Sequence, residues 1–204
     1  MRGINACGFV CAASFLLLAG ESIVAGVAWG GPAPQPSSAA SAAELSRPGE
    51  AVPDLGNEHI STLDTPHPPY NSNPPTSGWH IPFIATWGVH QKPIPRELQV
   101  HNLEDGGVLI QYACPVACPG LVAKLERLAK RVLARPEPRY HHLIVAPHPD
   151  AEPGRPPEPP GRQSAPVLAL TAWTRIDRLT AFDDARITRF IEAYIGVDHH
   201  KGRE

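Results

Sequence analysis

The sequence predicts an α/β fold: a small sandwich of a few strands with two amphipathic helices and a long irregular N-terminal segment. Two windows repeat apolar residues with the helical period, which predicts the helices. Three short apolar runs rich in Val, Ile and Leu predict the strands. The chain has 25 prolines among 204 residues, about 12% where about 5% is usual. This excess favours extended, turn-rich packing over long uninterrupted helices.

Residues 1–30 are typical of a signal peptide or an N-terminal membrane anchor. Arg2 precedes an uncharged apolar stretch over residues 4–20, and Gly26 and Ala28 place small residues before a cleavage position. A bilayer span needs about 20 apolar residues, so a cleaved leader and a retained anchor both stay open. In either case we expect the rest of the chain to be extracytoplasmic: periplasmic, secreted or membrane-anchored.

One globular domain is expected over residues 52–198. A Pro/Ala/Ser linker at residues 31–51 precedes it, and a polar tail at residues 199–204 follows it. A Pro-rich insertion at residues 147–166 interrupts the domain. Residues 54–95 have no helical period, so we interpret them as an extended segment wrapped over the core. Its expected anchors are aromatic: Tyr70, Trp79, Phe83 and Trp87.

The elements are expected in the order β, α, β, long loop, β, α. The strands are residues 107–112 (GVLIQY), 142–146 (HLIVA) and 166–173 (PVLALTAW). The helices are residues 119–134, with proline at the first position, and residues 183–195, with aspartate as N-cap.

The charge balance argues against a nucleic-acid partner. Lys plus Arg number 18 and Asp plus Glu number 20, for a net charge of −2. Binding to a phosphate backbone depends on a basic surface, which this composition does not favour.

Two blocks resemble the signatures of a known bacterial family: residues 70–80 (YNSNPPTSGWH) and 100–108 (VHNLEDGGV). They are similar to YNSxPPTSGPH and HNLEHGGV in an extracytoplasmic domain of unknown function. The resemblance extends over about residues 52–195. It implies a group of related proteins and no settled activity. Asp105 stands where the family usually has His. If this position binds a metal, a carboxylate is a harder ligand than imidazole and shifts the preference toward Zn(II) over copper.

Histidines in and near these blocks are candidate metal ligands. His101 and Asp105 are four residues apart, so they share a face on a helix or on a strand. His80 ends the first block, His59 lies in a GNEHI segment, and His90 offers a further imidazole. Three imidazoles and a carboxylate are a common ligand set for Cu(II) or Zn(II). The alternative stays open that these groups tie down an irregular segment by hydrogen bonding.

The segment 114–119 (CPVACP) is a second candidate site. Cys118 is expected at a helix N-terminus, where the dipole stabilises a thiolate. The segment resembles the CxxxCP loop of Sco-type copper chaperones. That resemblance implies copper bound by Cys114 and Cys118, with His142 as the leading nitrogen ligand. A structural disulfide, a soft-metal site and thiol exchange all remain open.

These observations favour a non-enzymatic extracytoplasmic protein that binds or delivers a metal, with copper first and zinc second. Its expected partner is a metal ion or an envelope protein. One alternative is a disulfide-stapled interaction module that presents Tyr70, Trp79 and Trp87 to a protein partner. A less favoured alternative is a thiol–disulfide oxidoreductase.

Overall fold

The computed structural model describes residues 47–114, 117–151 and 168–200. There, six strands form one mixed sheet, accompanied by three α-helices. The strands are β1 (Glu50–Ala51), β2 (Gly88–Val89), β3 (Val108–Tyr112), β4 (Leu143–Pro147), β5 (Leu168–Ala172) and β6 (Arg175–Leu179). The helices are α1 (Arg96–Glu104), α2 (Pro119–Leu133) and α3 (Asp184–Tyr194). The predicted α/β class is confirmed, with three helices where two were expected.

The sheet has the strand order β1-β6-β5-β3-β4-β2. Both neighbours of β4 run parallel to it, whereas the other pairs are antiparallel. The central strand β3 is buried on both faces. Val108 and Ile110 therefore belong to one core cluster and Leu109 to the other, as the two-residue period requires.

Each face of the sheet has its own apolar layer. On one face, α2 and α3 bring side chains such as Leu125 and Phe190 against β3, β4 and β5. On the other, Val100 and Leu103 of α1 pack against Leu109 together with the irregular N-terminal segment. The second face matters for function, because it fixes the end of α1 against that segment.

The two predicted helices are confirmed. Helix α2 begins with Pro119 at its first position, and its apolar face is buried. Helix α3 is capped by Asp183, whose side chain accepts a hydrogen bond from the Arg186 amide at 3.0 Å. The structure adds α1, the two-residue strands β1 and β2, and β6, which pairs with β5 as a hairpin.

The irregular segment is attached by polar as well as aromatic contacts. Tyr70 and Trp87 pack against the α1 side of the core, as expected. The prediction for Phe83 was wrong: it is 64% exposed and anchors nothing. A stronger attachment comes from Asn102 of α1, which is fully buried. Its side chain accepts from the Ala85 amide and donates to the Ala85 carbonyl, each at 2.9 Å.

Several predicted segments fall outside the described residues. These are the signal peptide or anchor, most of the linker, and most of the Pro-rich insertion. The last linker residues differ from expectation, because Glu50–Ala51 form β1 and pair with β6. Among the helices of the described ranges, none has the length and apolarity that crossing a membrane requires.

We predict that Asn102→Ala destabilises the protein by about 2–6 kcal/mol. The change leaves both polar groups of Ala85 buried without their partner, at about 1–3 kcal/mol for each group. Urea unfolding measures the loss. Thr86→Ala, one residue further along at an exposed position, is the control and should change stability by less than about 0.5 kcal/mol. An unchanged unfolding midpoint in Asn102→Ala would contradict the proposed attachment.

Candidate metal centre

Three histidines and a glutamate meet where the irregular segment crosses the end of α1. They are His59, His80, His101 and Glu104. One potential ligand atom from each lies within 4.8 Å of all the others. The group joins residues that are far apart in the chain, so the tertiary fold must hold it together.

The irregular segment contributes His59 and His80 through a short parallel pairing. The His80 amide donates to the Glu58 carbonyl at 3.0 Å, and the Ile60 amide donates to the His80 carbonyl at 2.8 Å. The two imidazole rings consequently meet edge to face, with centroids 4.9 Å apart. Backbone hydrogen bonds thus set the spacing of the first two candidate ligands.

Helix α1 contributes His101 and Glu104 from its last turn. Residues three apart on a helix lie on the same face, so both side chains point the same way. The helix ends in a Schellman motif. The Gly106 amide donates to the Leu103 carbonyl at 3.1 Å, and the Gly107 amide donates to the Asn102 carbonyl at 2.8 Å. Gly106 adopts a φ of 79°, the left-handed conformation that this cap needs.

Hydrogen bonds at Nδ1 fix which nitrogen each ring presents. His80 Nδ1 lies 2.7 Å from the Gly78 carbonyl oxygen, and His101 Nδ1 lies 3.1 Å from that of Ile81. A carbonyl only accepts, so each Nδ1 carries the proton. In the neutral rings Nε2 therefore keeps a lone pair. Metal-binding histidines in proteins are oriented by this kind of outer hydrogen bond.

Glu104 is the carboxylate of the group and is only 1% exposed. Asn57 donates to its Oε1 at 2.6 Å. Its Oε2 lies 3.0 Å from Nε2 of His80 and 3.8 Å from Nε2 of His59. A buried negative charge at a helix C-terminus is disfavoured by desolvation and by the helix dipole. A bound cation would offset both costs.

The two best-buried rings favour the neutral form that metal binding needs. Burial lowers the pKa of His80, although the Gly78 carbonyl and Glu104 act in the opposite direction. Burial also lowers the pKa of His101, although the nearby charge of Asp105 acts in the opposite direction. The lone pair on His80 Nε2 then faces a carboxylate oxygen, and two acceptors at 3.0 Å repel unless a proton or a cation lies between them.

A second group of potential ligands adjoins the first: His101, Asp105 and His200. His200 lies in a C-terminal arm, residues 195–200, that follows α3. The Gly196 amide donates to the Gly106 carbonyl at 2.7 Å, and the His199 amide donates to the Glu104 carbonyl at 2.8 Å. The tail expected at residues 199–204 therefore begins with two residues that pack on the centre.

The structure separates the candidates that the sequence suggested. It brings His59, His80 and His101 together, and it places Asp105 in the second group. His90 and His142 lie outside both groups found in the described residues.

The outlying histidines have other contacts. His90 Nε2 is 2.7 Å from the Thr86 carbonyl oxygen, and the His142 ring stacks on Trp87 at 4.7 Å.

Sequence reasoning missed Glu104 and His200 as potential ligands. A helical interpretation of RELQVHNLE, beginning after Pro95, would have put residue 104 on the same face as His101. The signal was present in an acidic first turn at Glu97 and an apolar pair at Val100 and Leu103. For His200 the signal was limited to the adjacent histidines 199 and 200 in a polar tail, which indicated weak metal binding at most.

Cys114 and Cys118 form a disulfide just before α2. This is one of the alternatives that the sequence left open. Disulfide sulfurs are not thiolates, and cysteine binds soft metals such as Cu(I) in its thiolate form. The pair therefore does not provide a soft-metal site in this oxidised form.

We predict that the metal-free protein loses stability as the pH falls below about 6.5, the ordinary pKa of histidine. Below that pH the unfolded chain protonates His80 and His101, whereas burial delays their protonation in the folded state. The unfolded state then binds more protons, so acid favours unfolding until the lowered pKa values are passed. Urea unfolding with a chelator at about pH 7.5 and about pH 5.5 measures this, and His101→Gln should reduce the difference. Equal midpoints at both pH values would refute the prediction.

Comparison with known proteins identifies a family. Residues 65–204 match the model of a family described as a protein of unknown function, DUF3105. No curated protein is significantly similar to the chain, and no solved structure is either. The match includes His67 through His200, and thus His80, His101, Glu104 and Asp105, whereas His59 precedes it. This chain belongs to the DUF3105 family.

Proposed function

We propose that this protein binds a divalent transition-metal ion through His59, His80, His101 and Glu104, and that its role is to carry or deliver that ion rather than to catalyse a reaction. One observation supports this above the others. The fully buried His80 directs Nε2 toward the buried Glu104 carboxylate at 3.0 Å, while its Nδ1–H is already donated to the Gly78 carbonyl. A divalent cation satisfies both acceptors, whereas a purely structural pair would need a shared proton.

The ligand set suits Cu(II) or Zn(II). Imidazole binds both metals well, and one carboxylate with three imidazoles gives four donors. Copper is our first choice, because Cu(II) forms the more stable complexes with such donors. Asp105 belongs to the adjoining group. The preference for Zn(II) that its carboxylate would add therefore does not apply to the four-ligand set. A separate Cu(I) role for Cys114 and Cys118 remains a proposal for the reduced chain.

We also propose that the protein works outside the cytoplasm. The Cys114–Cys118 disulfide supports this, since disulfides persist mainly in oxidising compartments. The apolar N-terminal stretch of the sequence agrees with export.

We expect one Cu(II) per chain with a dissociation constant below micromolar, measured by competition with a chromophoric chelator. His59→Ala and His101→Ala should each weaken binding by at least about tenfold, since each removes a ligand. His59 is a favourable position for substitution because its side chain is 46% exposed. His90→Ala removes an imidazole outside the cluster and is the matched control. Binding weaker than micromolar for both Cu(II) and Zn(II) would overturn the proposal, as would equal losses in His90→Ala and His59→Ala.

We predict opposite effects of Glu104→Gln on stability and on binding. The amide keeps an acceptor for Asn57 and gains a donor for the His80 lone pair, while the buried charge is removed. The metal-free variant should gain about 1 kcal/mol in unfolding free energy. Its Cu(II) affinity should fall by at least about tenfold. If the variant is destabilised and retains full affinity, Glu104 is a structural residue and the proposed ligand set is wrong.

An interaction module is the second candidate, on other residues than those expected. Tyr70 and Trp87 are partly buried against the core, whereas Phe83 and Ile84 are 64% and 42% exposed. Adjacent exposed apolar side chains are common at protein interfaces. In that case neither Cu(II) nor Zn(II) would raise the unfolding midpoint of the oxidised protein. A metal-dependent rise favours the metal-binding function.

A further inference from the structure

The second ligand group is more accessible than the buried His80–Glu104 pair of the first. The side chains of Asp105 and His200 are 29% and 21% exposed, whereas those of His80 and Glu104 are 0% and 1% exposed. His59 is the exposed member of the first group, at 46%. His200 is oriented as a ligand. Its Nδ1 lies 2.7 Å from Oδ1 of Asp198, so the proton sits there and Nε2 is directed toward Oδ1 of Asp105 at 3.5 Å.

The two groups share His101, and this ring serves one metal at a time. Its Nδ1–H donates to the Ile81 carbonyl, which leaves a single lone pair on Nε2. The inner group (His59, His80, His101 and Glu104) and the outer group (His101, Asp105 and His200) are therefore alternative positions for one ion.

Glu104 borders both positions. Its Oε2 lies 3.0 Å from Nε2 of His80 and 3.4 Å from Nε2 of His200. A metal at the outer position is thus already close to the carboxylate of the inner one. Four donors on the inner side against three on the outer side make inward transfer favourable.

We propose that the outer group is the entry position for the metal and passes it to the inner group. This rests on the proposed function of the inner site. The ion first binds His101, Asp105 and His200. It then forms bonds to Glu104, His80 and His59 as those to His200 and Asp105 break, while the bond to His101 is kept. No electron is transferred, and each imidazole binds the ion in its neutral form.

The test is stopped-flow loading of the full chain with Cu(II) presented as its glycine complex, followed by Trp fluorescence quenching. Trp79 adjoins His80 in sequence, and Trp173 stacks on His199 at 5.8 Å, so tryptophans lie near both positions. Release is measured with excess chelator, and equilibrium affinity by titration. The variants are His200→Ala and Asp105→Asn, with His90→Ala as control. Urea unfolding checks that each variant is folded.

We expect loading and release both to slow by about tenfold in His200→Ala and in Asp105→Asn, with the dissociation constant within about threefold of wild type. A side chain that binds the ion only on its way to the final site changes the loading rate and the release rate by the same factor. Asp105 is the C-cap residue of α1 and His200 lies on the arm, so a loosened arm alone would affect only His200→Ala.

Three results would overturn the proposal while leaving the inner site intact. The first is unchanged loading in both variants, which means that metal enters past the exposed His59. The second is faster release with weaker affinity in His200→Ala, which makes His200 a ligand of the final site. The third is two Cu(II) ions per wild-type chain, which means that His101 is not shared. Absence of Cu(II) binding by the wild type would instead remove the proposed function itself.

Discussion

The buried carboxylate of Glu104 is the point at which the separate parts of this fold meet. Asn57 of the irregular segment donates to it, His80 of the same segment faces it, and the arm after α3 hydrogen-bonds to its backbone carbonyl. Burying the charge of this carboxylate is costly. The hydrogen bond that Oε1 receives comes from the neutral amide of Asn57 and does not balance that charge. The arrangement is consistent with a structure whose most stable state includes a cation.

Structural and metal-binding roles coincide in the same rings. The Nδ1–H of His80 closes a tight loop by donating to Gly78, and that of His101 holds Ile81. The bond from His80 gives the buried Gly78 carbonyl a partner, whereas the Ile81 carbonyl accepts from the Phe83 amide as well. In His80 the bond also leaves Nε2 facing Glu104 at 3.0 Å. The hydrogen-bonding interpretation of these histidines is therefore correct in detail and does not compete with metal binding.

Much of the fold was predictable because its apolar residues are regularly spaced. Helices α2 and α3 carry long apolar stripes, so their period is visible. Helix α1 escaped prediction because Gln99, Asn102 and Glu104 are buried on it and break the stripe. Strand β6 escaped because its buried residues include Asp177, which pairs with Arg186 at 2.9 Å rather than with apolar neighbours.

The candidate site was predictable only in its parts. His80 and His101 stood out by motif, but no local pattern tells that Asn57 reaches Glu104 across 47 residues. Such contacts depend on the path of an irregular segment, which period and propensity do not encode.

The docking of the C-terminal arm has a consequence for the order of folding. Backbone hydrogen bonds link Gly196 of the arm to Gly106, and His199 to Glu104. The residues of each pair are far apart in the chain. Contacts between distant residues are entropically expensive to close and tend to form late. A partly folded chain would thus hold His200 away from the other ligands. The two candidate ligand groups would therefore be complete only in the native structure.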